Sequence, residues 1–210
     1  MIPVVKQAEP ADFDRKVRKL GQTFLNSCPT PKANEWKSHE YWKEINKDLY
    51  ESYNRVCAYT AEWFPLSTNT ISVDHFLPKS KAPHLAYEWD NFRLTTPKTN
   101  SRKYTHAIID PFSIEVGWFV LQIPDCHIVP GDNLNPSIQA KINFTIEKLK
   151  LNLDDEHVQR RCDVILDFVK GEISFTHLQR RFPFIANELE RLSINDVKTL
   201  SKLFKVSIDE

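Results

Sequence analysis

The sequence predicts an α+β chain, with helical arms around a small central insert of short strands and loops. Three observations carry this. Apolar residues recur at helical spacing before residue 56 and again after residue 136. Between them, residues 57–124 read as short β-type runs broken by loops. At 210 residues, the chain suits one domain, or one compact domain with a helical extension.

The elements follow in order. Phe13, Val17, Leu20 and Phe24 share a helical stripe, with Pro10 and Asp12 near its start. Pro29 and Pro31 end that helix, because proline donates no backbone hydrogen bond. Residues 34–56 read as one long helix with Asn34 as N-cap and Trp42, Ile45, Leu49, Tyr53 and Val56 as its apolar stripe. "CAYT", "TISV", "NFRLTT", "AIIDPF" and "WFVLQI" are β-type runs. The last pairs with "HIV" across Pro124-Asp125 as a hairpin. A short helix opens at Pro97. Beyond Pro136 the pattern is helical. One stripe is Ile138, Ile142, Ile146 and Leu149. A second is Val158, Cys162, Ile165 and Val169, ended by Gly171. A third, of Phe175, Leu178, Phe182, Ile185, Leu189 and Leu192, is interrupted by Pro183. The expected divisions are an N-terminal helical arm (1–56), a central core with its hairpin (57–130) and a C-terminal helical region (131–210).

Composition excludes several function classes. Only four glycines are present, and no Gly-rich phosphate loop is visible. Cys28, Cys57, Cys126 and Cys162 form no C-x-x-C pair, so a cysteine zinc knuckle is not expected. Nothing at the N-terminus reads as a signal peptide. No apolar run reaches the ~18 residues that cross a bilayer. The expectation is a cytoplasmic protein with reduced thiols and no membrane partner. Net charge is zero, so any contact with nucleic acid must be local or assisted by a partner. One local patch exists. Lys79, Lys81, Arg93, Lys98, Arg102 and Lys103 stand against only Glu88 and Asp90, and such a patch attracts a phosphate backbone without reading sequence.

The chemistry gathers around "ISVDHFLPKS". Asp74 and His75 stand where a strand breaks into a loop, with Asn91, Asn100 and Lys103 downstream. A phosphodiester attacked by water in line needs a general base and a cation near the leaving oxygen. His75 suits the base, since an unperturbed imidazole titrates at about 6.5. Asp74 and Asn100 offer oxygen ligands for a hard ion such as Mg²⁺ or Mn²⁺. Asn91 is the candidate to orient His75, and Lys103 to neutralise the scissile phosphate.

A strand ending in Asp-His, a loop carrying "WDNFRL" and a helix carrying Asn-x-x-Lys resemble the ββα-metal site of HNH endonucleases. The match covers roughly residues 54–104. "VVKQAEPADF", "IIDPF" and "TIEKLKLNLDDEHVQRR" are similar to the nuclease subunits of Septu-type anti-phage defence and their retron-associated relatives. The resemblance implies metal-dependent hydrolysis of DNA to 5′-phosphate and 3′-hydroxyl ends, beside an ABC-like ATPase. A departure is plain. Where many such proteins bind zinc through two C-x-x-C pairs, this chain has Cys57-Ala-Tyr-Thr60 and Thr96-Pro-Lys-Thr99. Threonine is a poor zinc ligand, so no structural zinc is expected, and packing by Tyr59, Trp63, Trp89 and Phe92 replaces it. The rival expectation is an adaptor on an HNH scaffold that binds nucleic acid or an ATPase without cutting.

Overall fold

A computed structural model describes residues 1–67 and 70–206. The chain is α+β, with helices and, among the described residues, two small antiparallel strand pairs. Contacts divide it into two units. One, the strand-pair unit, comprises Val5–Ala58 and Phe64–Ala107. The other, the hairpin unit, comprises Met1–Val4, Tyr59–Trp63 and Ile108–Glu210.

In the strand-pair unit, α1 (Lys19–Ser27) follows a π-helical turn at Asp14–Arg18. Phe13, Val17 and Phe24 are buried, as their stripe requires, while Leu20 is exposed. Gly21 has a packing reason. A Cβ there would lie 2.0 Å from the Tyr87 ring, so only glycine admits that contact.

The long helix expected over 34–56 is broken in three. It forms α2 (Ala33–Ser38), a 3-10 turn (Tyr41–Ile45) and α3 (Asn46–Ser52). His39 leaves helical geometry and stacks on Phe24, with ring centroids 3.7 Å apart. The His39 carbonyl accepts from the Tyr87 hydroxyl at 2.8 Å instead of continuing the helical ladder. Tertiary aromatic packing thus overrides a strong local helix pattern. The N-cap is Lys32 rather than Asn34, and the Glu35 carboxylate accepts the Lys32 N–H at 2.6 Å.

β1 (Ser72–His75) pairs with β2 (Phe92–Thr95) in the register Ser72↔Thr95, Val73↔Leu94, Asp74↔Arg93 and His75↔Phe92. The chain then enters α4 (Pro97–Lys103), with Pro97 in its first turn and the Thr96 hydroxyl accepting the Thr99 N–H. Cys57 is buried, and its Sγ lies 3.4 Å from Thr95 Oγ1. Two β-type runs form no strand. Residues 57–60 are turns, where Ala58 N–H reaches Leu94 O at 2.8 Å without extending the pairing. Residues 107–112 lead into a 3-10 turn (Pro111–Ser113) capped by Asp110.

In the hairpin unit, β3 (Phe119–Gln122) pairs with β4 (His127–Pro130) as the expected hairpin. Helices α5 (Pro136–Leu149), α6 (Gln159–Val169), α7 (Phe175–Arg181), α8 (Pro183–Arg191) and α9 (Val197–Phe204) follow. Pro183 separates α7 from α8, and Gly171 at φ 76° stands just past α6. Side chains complete the hairpin's outer hydrogen bonds. Glu188 accepts the Leu121 N–H at 2.9 Å, and the Asn152 amide pairs with both backbone groups of Ile128. No helix among the described residues is long and apolar enough to cross a membrane.

Candidate active site

β1 ends on the Asp-His pair, and α4 brings Asn100 beside it. Asp74, His75 and Asn100 line one cavity of about 580 Å³, together with Trp42, Lys79 and Tyr104. The strand pair supplies the first two and the helix capped by Thr96 supplies the third. Three residues spread over 27 positions therefore meet because β1 pairs with β2 and β2 runs directly into α4.

His75 is 7% exposed. Its Nε2 lies 2.9 Å from the Ala86 carbonyl. A carbonyl only accepts, so Nε2 carries the hydrogen and Nδ1 is left as the ring's proton acceptor. Trp42 and Phe92 meet the ring at nearly right angles, with centroids at 4.6 and 5.3 Å. Burial pulls the imidazole pKa down to about 3, the Lys79 and Lys103 charges add to this, and the Ala86 bond opposes it.

Asp74 is 3% exposed, and its Oδ1 accepts from Lys103 Nζ at 3.0 Å. The Asn100 amide nitrogen donates to Ser72 Oγ at 2.8 Å and to Val73 O at 3.4 Å. Its amide oxygen has no hydrogen-bond partner among the described residues. No three His, Cys, Asp or Glu side chains among those residues come together as a metal-binding group. A divalent ion at this cavity would rest on the Asp74 carboxylate, the Asn100 amide oxygen and water. Mg²⁺ and Mn²⁺ accept such a donor set, because hard ions are often held by one or two protein oxygens and retained waters. The residues therefore fit the ion.

Other sequence candidates lie elsewhere. Lys103 is fully buried rather than facing the cavity. Its ammonium donates to Asp74, to His75 O at 2.8 Å and to Phe76 O at 2.7 Å, so it braces the Asp-His turn from beneath. Asn91 does not orient the His75 ring; its side-chain bonds close the loop between β1 and β2. Its Oδ1 accepts the Leu77 N–H at 2.8 Å, and its Nδ2 donates to Leu77 O and Leu85 O. Arg93 is buried and donates to the carbonyls of Asp90 and Phe92. Lys81 and Lys98 are exposed and Arg102 is half-buried. Lys79 alone of these basic residues lines the cavity.

The sequence reading missed the opposite wall. Trp36, Lys37, Trp42, Lys43 and Asn46 come from α2, the 3-10 turn and α3. Asn46 Oδ1 is buried there without a hydrogen-bond partner among the described residues. The Ala86 carbonyl was also invisible, since backbone groups leave no residue-type signature.

No protein-family model matches the chain. It is 26% identical over 166 residues to the Septu protein PtuB of Bacillus thuringiensis. That match covers 77% of this chain and 58% of the relative, so the chain spans somewhat more than half of the length of the curated protein it resembles. The chain is thus similar to a Septu protein, in agreement with the Septu-type likeness of its flanking motifs.

Proposed function

We propose that the chain is a metal-dependent endonuclease of the HNH type, acting in anti-phage defence. The observation that carries this reading is the single cavity lined by Asp74, His75 and Asn100, with His75 held as the Nε2–H tautomer by Ala86. The Septu relative supports the defence role.

His75 Nδ1 takes a proton from water, and that water attacks phosphorus in line while the bond to the leaving 3′-oxygen breaks and that oxygen takes a proton from a second water. The neutral ring is the accepting form and is fully populated at neutral pH, given its lowered pKa. A phosphodiester anion seated beside the ring favours its protonated form and so strengthens it as an acceptor. Asp74 and Asn100 would hold the divalent ion, which would supply Lewis acidity at the phosphate. Lys103 fixes the Asp74 carboxylate, and Asn91 fixes the loop that presents Ala86 O. Exposed Lys81 and Lys98, with Arg102, draw the DNA backbone toward the cavity. An ABC-like ATPase delivers the chain to its target, because zero net charge gives little long-range attraction to DNA.

The test is cleavage of DNA with Mg²⁺ or Mn²⁺, wild type beside His75→Ala, alone and with the product of the neighbouring gene. Cleavage lost in His75→Ala with DNA binding retained supports the reading. A His75→Ala protein that cuts as fast as wild type ends it.

A further inference from the structure

Lys79 differs from every other basic residue of the sequence patch. It lines the cavity with Asp74, His75 and Asn100. Its ammonium lies 4.8 Å from the Trp42 ring centroid and 5.9 Å from that of Trp36. It makes no ion pair among the described residues. The nearest carboxylates are engaged elsewhere, Glu40 with Lys43 and Asp74 with Lys103. Burial lowers the Lys79 pKa, while Glu40 and Asp74 oppose that shift at a distance.

A half-buried ammonium held over two indole faces keeps its charge without spending its hydrogen-bond donors on a carboxylate. Indole rings attract a cation through their π faces and accept little of its hydrogen-bonding capacity. Such a group is set to receive an anion. Of the other basic residues near it, Lys103 has three protein acceptors, Arg93 donates to two carbonyls, Lys81 points its ammonium at Thr105 O, Lys43 pairs with Glu40, and Lys37, which also lines the cavity, is exposed.

We propose that Lys79 is the phosphate-binding cation of this cavity, its ammonium taking a non-bridging oxygen of the nucleic-acid phosphate that lies against His75. Trp36 and Trp42 act as positioning residues that hold Lys79 in the cavity. This assignment rests on the nuclease reading for its substrate and gives α2 and the Tyr41–Ile45 turn a functional reason to pack on the strand pair. It also moves the phosphate contact from Lys103, where residue spacing puts it, to the loop after β1.

The experiment is fluorescence polarisation of a short labelled DNA oligonucleotide in EDTA, where cleavage is suppressed. It compares wild type, Lys79→Ala, Lys79→Gln, Lys79→Arg and Lys81→Ala across a salt series. Loss of a charge-assisted contact is expected to weaken binding about tenfold in Lys79→Ala and Lys79→Gln. The slope of log affinity against log salt should fall by about one. Lys79→Arg should restore most of the affinity, and Lys81→Ala, which removes an exposed charge of the surrounding patch, should weaken binding less than Lys79→Ala does. Lys79→Gln binding as wild type, or wild type binding no DNA, overturns the proposal. Cleavage in Mn²⁺ is scored separately. Should wild type bind through Lys79 yet cut nothing, the phosphate seat stands and the nuclease reading falls.

Discussion

His75 ties the stability of the strand-pair unit to pH. Its ring is buried, and its pKa is drawn from 6.5 down to about 3, first by burial, then by the Lys79 and Lys103 charges, against the Ala86 bond. The unfolded chain takes up that proton near pH 6.5, whereas the folded chain resists it until about pH 3. Protonation therefore favours unfolding throughout this window. The His75 contribution is fully present above pH 6.5 and is lost progressively as pH falls toward 3. One unit of differential titration is worth about 1.4 kcal/mol, so acidification from pH 7 to pH 5 removes about 2 kcal/mol through this group alone. His75→Gln is the reference protein. It retains an N–H for Ala86 O and cannot titrate. Urea unfolding of both proteins at pH 7, 6 and 5 gives the comparison, and titration of all other groups cancels in the difference. Wild type should lose about 2 kcal/mol more than His75→Gln over that range. Parallel pH profiles would refute the buried, neutral imidazole on which the proposed base chemistry depends.

Three further perturbations probe the supports of the site. Lys103→Met removes the ammonium shared by Asp74, His75 O and Phe76 O, and takes a counter-charge from the buried Asp74 carboxylate. Breaking such a pair costs about 3–5 kcal/mol, readable by urea denaturation, and a loss below about 1 kcal/mol would show that the pair is not a brace. Gly21→Ala drives a Cβ to 2.0 Å from the Tyr87 ring, and thermal melting should register about 1–3 kcal/mol of destabilisation. An unchanged melting temperature would mean that α1 moves away freely. Tyr104 is 70% exposed and sits at φ 45°, ψ −123°, a backbone region that suits glycine. Tyr104→Gly should raise stability by about 1 kcal/mol, and a fall would show that the exposed ring packs more than its accessibility implies.

Much of the site's framework was legible because its signals are local. "TISV" before Asp-His marks β1, Pro97 marks the start of α4, and Asn100 lies one turn along that helix. The β3–β4 hairpin and the split at Pro183 are equally local. What escaped depends on depth and on distant partners. Asn100 and Lys103 share a helix face by spacing, but spacing carries no information on depth, and Lys103 lies beneath Asp74 while Asn100 lines the cavity. Arg93 reads as surface charge, yet it stands opposite Asp74 in the strand pair and is buried. The break at His39 is set by Phe24 and Tyr87, which lie 15 and 48 residues away, so no window on residues 34–56 reveals it. The same break turns Trp36, Trp42 and Asn46 toward the cavity, which is why the wall opposite His75 had no signature in the motif.

In the proposed reaction His75 removes a proton from the attacking water at a metal-assisted phosphodiester. It is tested most directly by chemical rescue. Cleavage of an end-labelled DNA in Mn²⁺ is timed for wild type and for His75→Gly, with and without added imidazole, in the presence of the same partner protein. Wild type should cleave, His75→Gly should cleave little or not at all, and activity should recover in part as imidazole rises, since the free ring fills the space between Trp42 and Phe92. His75→Gly cutting at the wild-type rate without imidazole would contradict it.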